Sequence, residues 1–441
     1  MAERRKQIHL AAHFPGVNNT TVWTDPSAGS QIDFASFEHL ARTAERGLFD
    51  FFFLAEGLRL REHRGLIHDL DVVGRPDTFT VLAALAAVTE RLGLVGTIST
   101  TFNEPFEVAR QFATLDQLSD GRAGWNAVTS SDAFTGANFR RGGFLDHADR
   151  YVRAAEFVTV ARQFWDSWEP GAVIADPRRG TYLDPARIRH VDFTGAQFDV
   201  HGVATLPAGP QGHPVLLQAG DSDDGRDFGA RHADALFTLH GDLEAGRRYY
   251  ADVKARAAAA GRDPAALLVF PAATFVLGDS AADARDRARH IREQQVSPAT
   301  AITFVEQVWG TDLSGLDPDG PLPEFDPVVD STITQGRVRH GDPREVAKAW
   351  RARAEAERLS VRELVMAVTT RHQFVGTAAH VAEEMDRYVA ADACDGFILV
   401  PHLTPHGLDE FVDAVVPLLQ ERGVFRTEYT GTTLRQHLGL A

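Results

Sequence analysis

One cysteine, Cys394, stands among 441 residues. A lone thiol excludes an intrachain disulfide and any cysteine-built zinc or iron–sulfur centre. Positive charge is also short, with 45 Lys+Arg against 61 Asp+Glu and a formal net charge of −16. That balance opposes binding to nucleic acid or to an anionic membrane, while leaving room for a local basic pocket around one phosphate. Long apolar runs are missing: the longest, Val81 to Val88, falls far short of the about 20 residues that cross a bilayer. The basic start, Met1 to Lys6, runs into His9 and His13 without the apolar stretch of a signal peptide. No Gly-x-Gly-x-x-Gly follows a strand-like segment and no Walker A sequence occurs, so a second dinucleotide site is not expected; if the chain is a redox enzyme, a reduced nicotinamide acts elsewhere. A soluble cytoplasmic protein is expected.

What is present is ordinary globular composition, 44% hydrophobic and 24% charged, in a regular alternation. Strand-like segments lie at 7–12, 49–55, 93–100, 122–129, 214–219, 234–239, 267–277 and 395–400. Between them, apolar residues recur at helical spacing over about 34–46, with Asp33 as N-cap and Gly47 as stop, and over 78–91, 105–118, 147–168, 222–232, 243–260 and 407–422. Eight strands with intervening helices favour a (β/α)8 TIM barrel over an open doubly wound sheet. Two stretches break the alternation. Residues 170–213 are rich in Gly, Pro, Asp and Arg and read as an irregular excursion. Residues 278–392, with helical patterns at 282–294, 343–358 and 377–390, read as the largest insertion, lying between the last two strands and capping the barrel mouth. The whole chain, 1–441, reads as one barrel domain.

In such barrels the functional groups lie at the carboxyl ends of the strands. Those ends carry His13, Glu56, Thr97 with Thr100 and Thr101, Asn126 with Ser130, Gln218 to Ser222, and His240. Plain loop solubility is the competing explanation. Zinc hydrolysis fits poorly: His9 and His13 are about 13 Å apart along a strand, and no His-Glu-x-x-His exists. No metal site is expected. Glu104 and Glu107, as a glycosidase acid and base, fit a helix start better. Gly220 to Gly225 lies between a strand and a helix, where backbone N–H groups can face an anion. Ser222 serves there either as a simple N-cap or as a phosphate ligand too, and Asp221, Asp223 and Asp224 oppose an anion unless they point away. His147 and Tyr151, four apart on one helix face, can converge on one group or merely pack.

An ordered set of motifs then carries a resemblance. Phe53-Leu54-Ala55-Glu56, Thr97 to Pro105, Trp125 to Ser130, His147 to Tyr151, Pro214 to Ser222, Asp395-Gly396-Phe397 and Gly423 to Tyr429 resemble the bacterial-luciferase-like flavin-dependent monooxygenases. The similar branch holds the nitrilotriacetate, dibenzothiophene-sulfone and pristinamycin monooxygenases, and the resemblance spans nearly the whole chain. It implies a two-component monooxygenase that uses reduced FMN, supplied by a separate NAD(P)H:flavin reductase, and O₂ to oxygenate a small organic substrate, heteroatom-containing or aromatic. A homodimer or homotetramer is implied as well. Carried over by motif position, the FMN contacts are Glu56, Thr97, Asn126, His147, Tyr151 and Ser222, with Tyr151 and Ser222 at the phosphate end. Glu56 departs from the family's usual Asp. His13 stands as a pocket acid or base, or else as a structural histidine. Phe14, Trp23, Phe102 and Phe134 stand as an aromatic pocket wall, and Cys394 as a small buried filler. A deazaflavin-dependent oxidoreductase of the same fold, a TIM-barrel hydrolase and a flavin binder without catalysis are the other readings.

Overall fold

The computed structural model describes every residue except 1–4, 17–19, 70–74, 131–132, 141–148, 330, 337–340, 370–371 and 441. Eight strands form its centre: β1 (His9–Phe14), β2 (Phe51–Leu54), β3 (Gly93–Ser99), β4 (Ala123–Val128), β5 (Val215–Gln218), β6 (Ala235–Thr238), β7 (Leu268–Leu277) and β8 (Gly396–Leu399). Each pairs in parallel with the next, and β8 returns to pair with β1 (His9 opposite Gly396, Ala12 opposite Leu399), so the sheet closes into a barrel. The strands expected from periodicity are those found. The first is shifted by two residues, so that His13 and Phe14 belong to it rather than follow it.

The barrel's apolar residues divide by the period of two that a strand imposes. Ala11, Phe51, Phe53, Val95, Val215, Leu217, Ala235, Phe270 and Ile398 fill its interior. Their neighbours Leu10, Ala12, Phe14, Phe52 and Leu54 face outward into a larger core shared with the helices. Both faces are therefore buried, which is why these strands read as nearly continuous apolar runs. The floor is closed by Leu434, Leu438 and Leu440. A Cβ on Gly93 would lie 2.5 Å from the Leu434 side chain, and one on Gly124 3.1 Å from it. Glycine at both positions makes the room that this plug occupies. Arg435 fixes it by an ion pair to Asp234 at 2.9 Å.

The crossover helices are α1 (Phe34–Arg46), α2 (Thr78–Ala86), α3 (Pro105–Leu118), α4 (Asp149–Trp165), α5 (Asp223–His232) and α6 (Leu243–Ala259). Helix α2 ends five residues before its apolar pattern does. Buried Arg122 accounts for the stop: its guanidinium donates to the carbonyls of Ala86 (3.2 Å), Thr89 (2.8 Å) and Leu92 (2.8 Å), holding 87–92 in a non-helical path, and it takes the Ala86 carbonyl that a helix through 91 would pair with residue 90. The C-terminal pattern at 407–422 resolves into a short 3₁₀ turn and two short helices, Asp409–Ala414 and Val416–Glu421.

The 170–213 excursion contains two antiparallel hairpins, Val173–Asp176 with Thr181–Leu183 and Val191–Thr194 with Asp199–Gly202. It joins the end of a helix to the start of a strand, which places it at the face opposite the mouth. Residues 278–392 leave from the carboxyl end of β7. They hold helices Ala281–Gln295, Pro298–Trp309, Pro343–Glu357, Val361–Thr369 and Ala378–Ala390, with a separate apolar cluster that includes Val305, Trp309, Ala347 and Leu364. They also hold a strand that periodicity does not reveal, His372–Gly376, added in parallel along the upper half of β7. Its sequence, His-Gln-Phe-Val-Gly, has only two adjacent apolar residues and so lacks the continuous apolar run that marks the barrel strands.

This segment reaches back to the loop after β2. Thr334–Gln335 pairs with Glu62–His63 in a small three-stranded sheet. Buried Glu306 joins the two: it receives His63 Nε2 at 2.6 Å, Arg64 Nη2 at 2.9 Å and the Leu313 N–H at 2.7 Å.

Candidate active site

At the carboxyl ends of β1 to β4 the inward-facing positions change from apolar to polar. Two residues beyond interior Ala11 comes His13, whose ring stacks on Phe53 with centroids 5.5 Å apart. Phe53 in turn lies parallel to Phe237 of β6, at 5.5 Å and 7°, so two phenyl rings form the base of the mouth. Burial, reinforced by the positive charge of Arg75, pushes the His13 imidazole down to about 3. It is neutral at physiological pH, and its buried Nδ1 has no hydrogen-bond partner among the described residues.

Two residues beyond interior Val95 comes Thr97, and Asn126 stands opposite it in register. The Asn126 amide donates to Thr97 Oγ1 at 3.0 Å, while its buried Oδ1 has no partner among the described residues. A buried carbonyl oxygen left this way costs about 1–3 kcal/mol unless a ligand supplies a donor. Glu56 extends past β2 to accept the Ser99 N–H at 3.0 Å. Burial raises its carboxyl to about 8, against that hydrogen bond and with help from the negative charge of Asp77. Glu56, Ser99, Arg59, Arg75, Ser130 and Gly336 help to line a cavity of about 250 Å³.

A second polar cluster lies around the turn from β5 into α5. Ser222 caps α5, its Oγ accepting the Gly225 N–H at 3.2 Å, and Tyr151 from the first turn of α4 places its hydroxyl 3.4 Å from Ser222 Oγ. Arg153, one turn surface away on α4, donates to the carbonyls of Thr100 (3.0 Å) and Asn103 (2.9 Å) and so fixes this end of the helix over the loop after β3. A Cβ at either Gly220 or Gly225 would stand 2.8 Å from the Tyr151 hydroxyl. Such a Cβ would also lie about 3 Å from the backbone of the other glycine, so the two glycines let the turn pack directly against the first turn of α5. That close approach brings a helix N-terminus, a phenol and a serine together, a donor set suited to phosphate. Two of the three acidic neighbours are drawn off: Asp221 pairs with Arg226 at 2.9 Å and Asp223 with Arg256 at 3.0 Å.

The remaining expected residues are dispersed. Phe14 is no pocket wall: it faces outward and stacks on Phe37 of α1 at 4.0 Å, because its strand parity is opposite to that of His13. Trp23 is 57% exposed. Phe102 stacks on Phe139 at 4.7 Å, and Phe134 lies 3.6 Å under the guanidinium of Arg59. His147 lies outside the described residues. Glu107 is tied to Arg110 at 2.6 Å on the surface of α3, and Glu104 is that helix's N-cap residue, which removes the glycosidase pair. His240 turns to Tyr249, at 4.3 Å. Buried Cys394 lies in the outer core. Sequence reasoning passed over His402, just after β8, whose Nδ1 is buried without a partner and whose ring is held down to about 4 mainly by burial. Applying the strand-end rule to the eighth strand would have found it.

Residues 16–394 match the family model described as luciferase-like monooxygenase. The chain belongs to the luciferase-like monooxygenases. It is 39% identical to N-acetyl-S-(2-succino)cysteine monooxygenase of Bacillus subtilis (strain 168), over 100% of this chain and 98% of the relative. It is 39% identical to nitrilotriacetate monooxygenase component A of Aminobacter aminovorans, over 95% and 93%. Its backbone is similar to the crystal structure of riboflavin lyase with modified FMN and substrate riboflavin, at a TM-score of 0.80, 30% identity and coverage of 98% and 96%. As a luciferase-like monooxygenase the chain is an enzyme, an oxidoreductase of small organic molecules that depends on reduced flavin. Its closed barrel is the fold of that family. Among the described residues no helix is long and apolar enough to cross a membrane.

Proposed function

We propose that the chain is the oxygenase component of a two-component system. It takes reduced FMN from a separate NAD(P)H:flavin reductase and, with O₂, oxygenates a small heteroatom-containing or aromatic molecule. The observation that carries this reading is the pairing of two features made for different ends of one ligand. The helix N-terminus with Tyr151 and Ser222, brought close by Gly220 and Gly225, suits a phosphate, and the Asn126 Oδ1, partnerless among the described residues, suits the N–H edge of a flavin ring. Thr97 orients Asn126, Glu56 reaches the same mouth, and His147 belongs to the same set by its motif position. When bound, reduced FMN supplies the electrons that activate O₂, chemistry no side chain can perform.

The chain's own residues bind, orient and exclude water. With its carboxyl raised to about 8, Glu56 is protonated at neutral pH and adds no negative charge beside an electron-rich ring. His13, neutral and seated on Phe53, holds a proton on one nitrogen and offers a lone pair on the other. It is suited to hydrogen bonding with substrate rather than to acting as a resting acid. Phe102 and Phe134 add apolar surface beside the loops of the mouth. Residues 278–392 shield the mouth through their hold on Glu62 to Arg64. A cytoplasmic homodimer or homotetramer belongs to the same reading, and sedimentation checks the assembly.

Anaerobic titration of the protein with reduced FMN, followed by admission of O₂ in a stopped-flow spectrometer, tests the proposal. Saturable binding in the micromolar range or tighter, then a transient absorbance in the near ultraviolet, is the expected result. Tyr151→Phe and Ser222→Ala should each weaken binding by about 1–3 kcal/mol. An absence of saturable binding refutes the proposal, and unchanged affinity in both variants refutes the phosphate assignment.

A further inference from the structure

At a solvent-exposed position, among residues not assigned to flavin, His39 of α1 meets His406 and Asp409 from the turn after β8. Their donor atoms form a tight triangle: His39 Nε2 lies 3.1 Å from His406 Nδ1 and 3.0 Å from the Asp409 carboxylate, and His406 Nδ1 lies 3.3 Å from Asp409 Oδ2. We propose that these three side chains bind a divalent transition-metal ion of the zinc class.

Two arguments support this. The first is geometric. Ligands about 2.0–2.1 Å from a tetrahedral ion stand about 3.3 Å apart, and the three measured edges are within a few tenths of an ångström of that value, so small side-chain rotations admit an ion. The second concerns protons. If His39 Nε2 carries the hydrogen, the bare lone pair of His406 Nδ1 faces the carboxylate. If His406 Nδ1 alone carries it, the bare lone pair of His39 Nε2 faces the carboxylate at 3.0 Å; if both carry one, two N–H groups lie 3.1 Å apart. If neither carries it, two lone pairs and a carboxylate converge. A dication facing three lone pairs removes each conflict. The carboxylate is already oriented from behind, with Thr43 Oγ1 donating to Asp409 Oδ1 at 2.8 Å, as supporting groups commonly orient metal-binding carboxylates. All three residues retain solvent access, with side chains 36%, 51% and 31% exposed for His39, His406 and Asp409. An ion can therefore enter, and water can complete its shell. Bound there, it would tie α1 to the turn that follows β8, joining segments from the two ends of the chain.

The test uses the full-length protein, stripped with chelator and titrated with Zn²⁺ by calorimetry and with Co²⁺ by visible absorption. One saturable equivalent, with a cobalt ligand-field band and a rise in thermal midpoint, is expected in the wild type. His406→Ala removes a half-exposed ring and should weaken binding at least tenfold while abolishing the thermal shift; His39→Gln gives a second, independent removal. The proposal is overturned if the wild type shows no saturable binding up to millimolar Zn²⁺, or if both variants bind as the wild type does. Reduced-FMN binding is measured in parallel and should not change, so failure here is distinct from failure of the flavin assignment.

Discussion

Glu306→Gln isolates the contact by which residues 278–392 hold the loop after β2. Glu306 is 2% exposed and its carboxylate receives His63, Arg64 and the Leu313 N–H. The amide keeps the shape but removes the charge, and it turns a donor toward at least one of three groups that themselves donate. Hydrogen bonds to charged groups contribute roughly 1.5–3 kcal/mol each, and breaking a buried ion pair costs about 3–5 kcal/mol. An amide oxygen in the Oε1 position still accepts Arg64 and Leu313, so the loss falls on the charge and on the His63 bond, and about 3 kcal/mol, the low end of that range, is expected. At about 1.4 kcal/mol per decade, amide hydrogen exchange in 62–67 and 298–309 should accelerate roughly a hundredfold. The barrel strands, which open only with the whole fold, should change less. Turnover should also uncouple, with more hydrogen peroxide formed per reduced flavin oxidised, because the mouth admits water. Unchanged exchange in both segments would refute the contact's role in holding them together. Faster exchange with unchanged coupling would refute the shielding role alone.

Three further outcomes test other parts of the molecule. The Glu56 carboxyl, raised to about 8, keeps its proton in the folded protein while the unfolded chain has lost its own. Stability should therefore fall as pH rises from about 4.5 to about 8, and Glu56→Gln should flatten that part of a denaturant-midpoint-against-pH curve. Gly225→Ala sets a Cβ 2.8 Å from the Tyr151 hydroxyl and about 3 Å from the Gly220 backbone; reduced-FMN affinity should fall at least tenfold by anaerobic titration, with the far-ultraviolet dichroism retained. Leu434→Ala empties part of the barrel floor and should cost about 2–5 kcal/mol in urea unfolding.

The barrel was legible because its strands are buried on both faces and separated by helices of clear period. The same property hid which residues face inward. In a run such as His9 to Phe14, polarity does not alternate, so Phe14 reads as a neighbour of His13 in the site although their side chains leave on opposite faces of the strand. The strand His372–Gly376 was hidden because only Phe374 and Val375 in it are apolar. In the site, Tyr151, Gly220, Ser222 and Gly225 could be grouped from a strand–turn–helix signal and a helix face. The neutral states of Glu56 and His13 could not, because they follow from burial and from charges distant in sequence. The His39–His406–Asp409 triangle was equally hidden, since its members meet only through the closure of the barrel.

That closure also runs a clock. Strand β1 pairs with β2 on one side, but its other partner is β8, almost the whole chain later. At about 5–20 residues per second on the ribosome, the second edge of β1 stays bare for roughly 20–80 seconds. For that interval the nascent chain carries an open, apolar sheet edge of the kind that recruits neighbouring chains, so its yield in the cell depends on what covers β1 before β8 arrives.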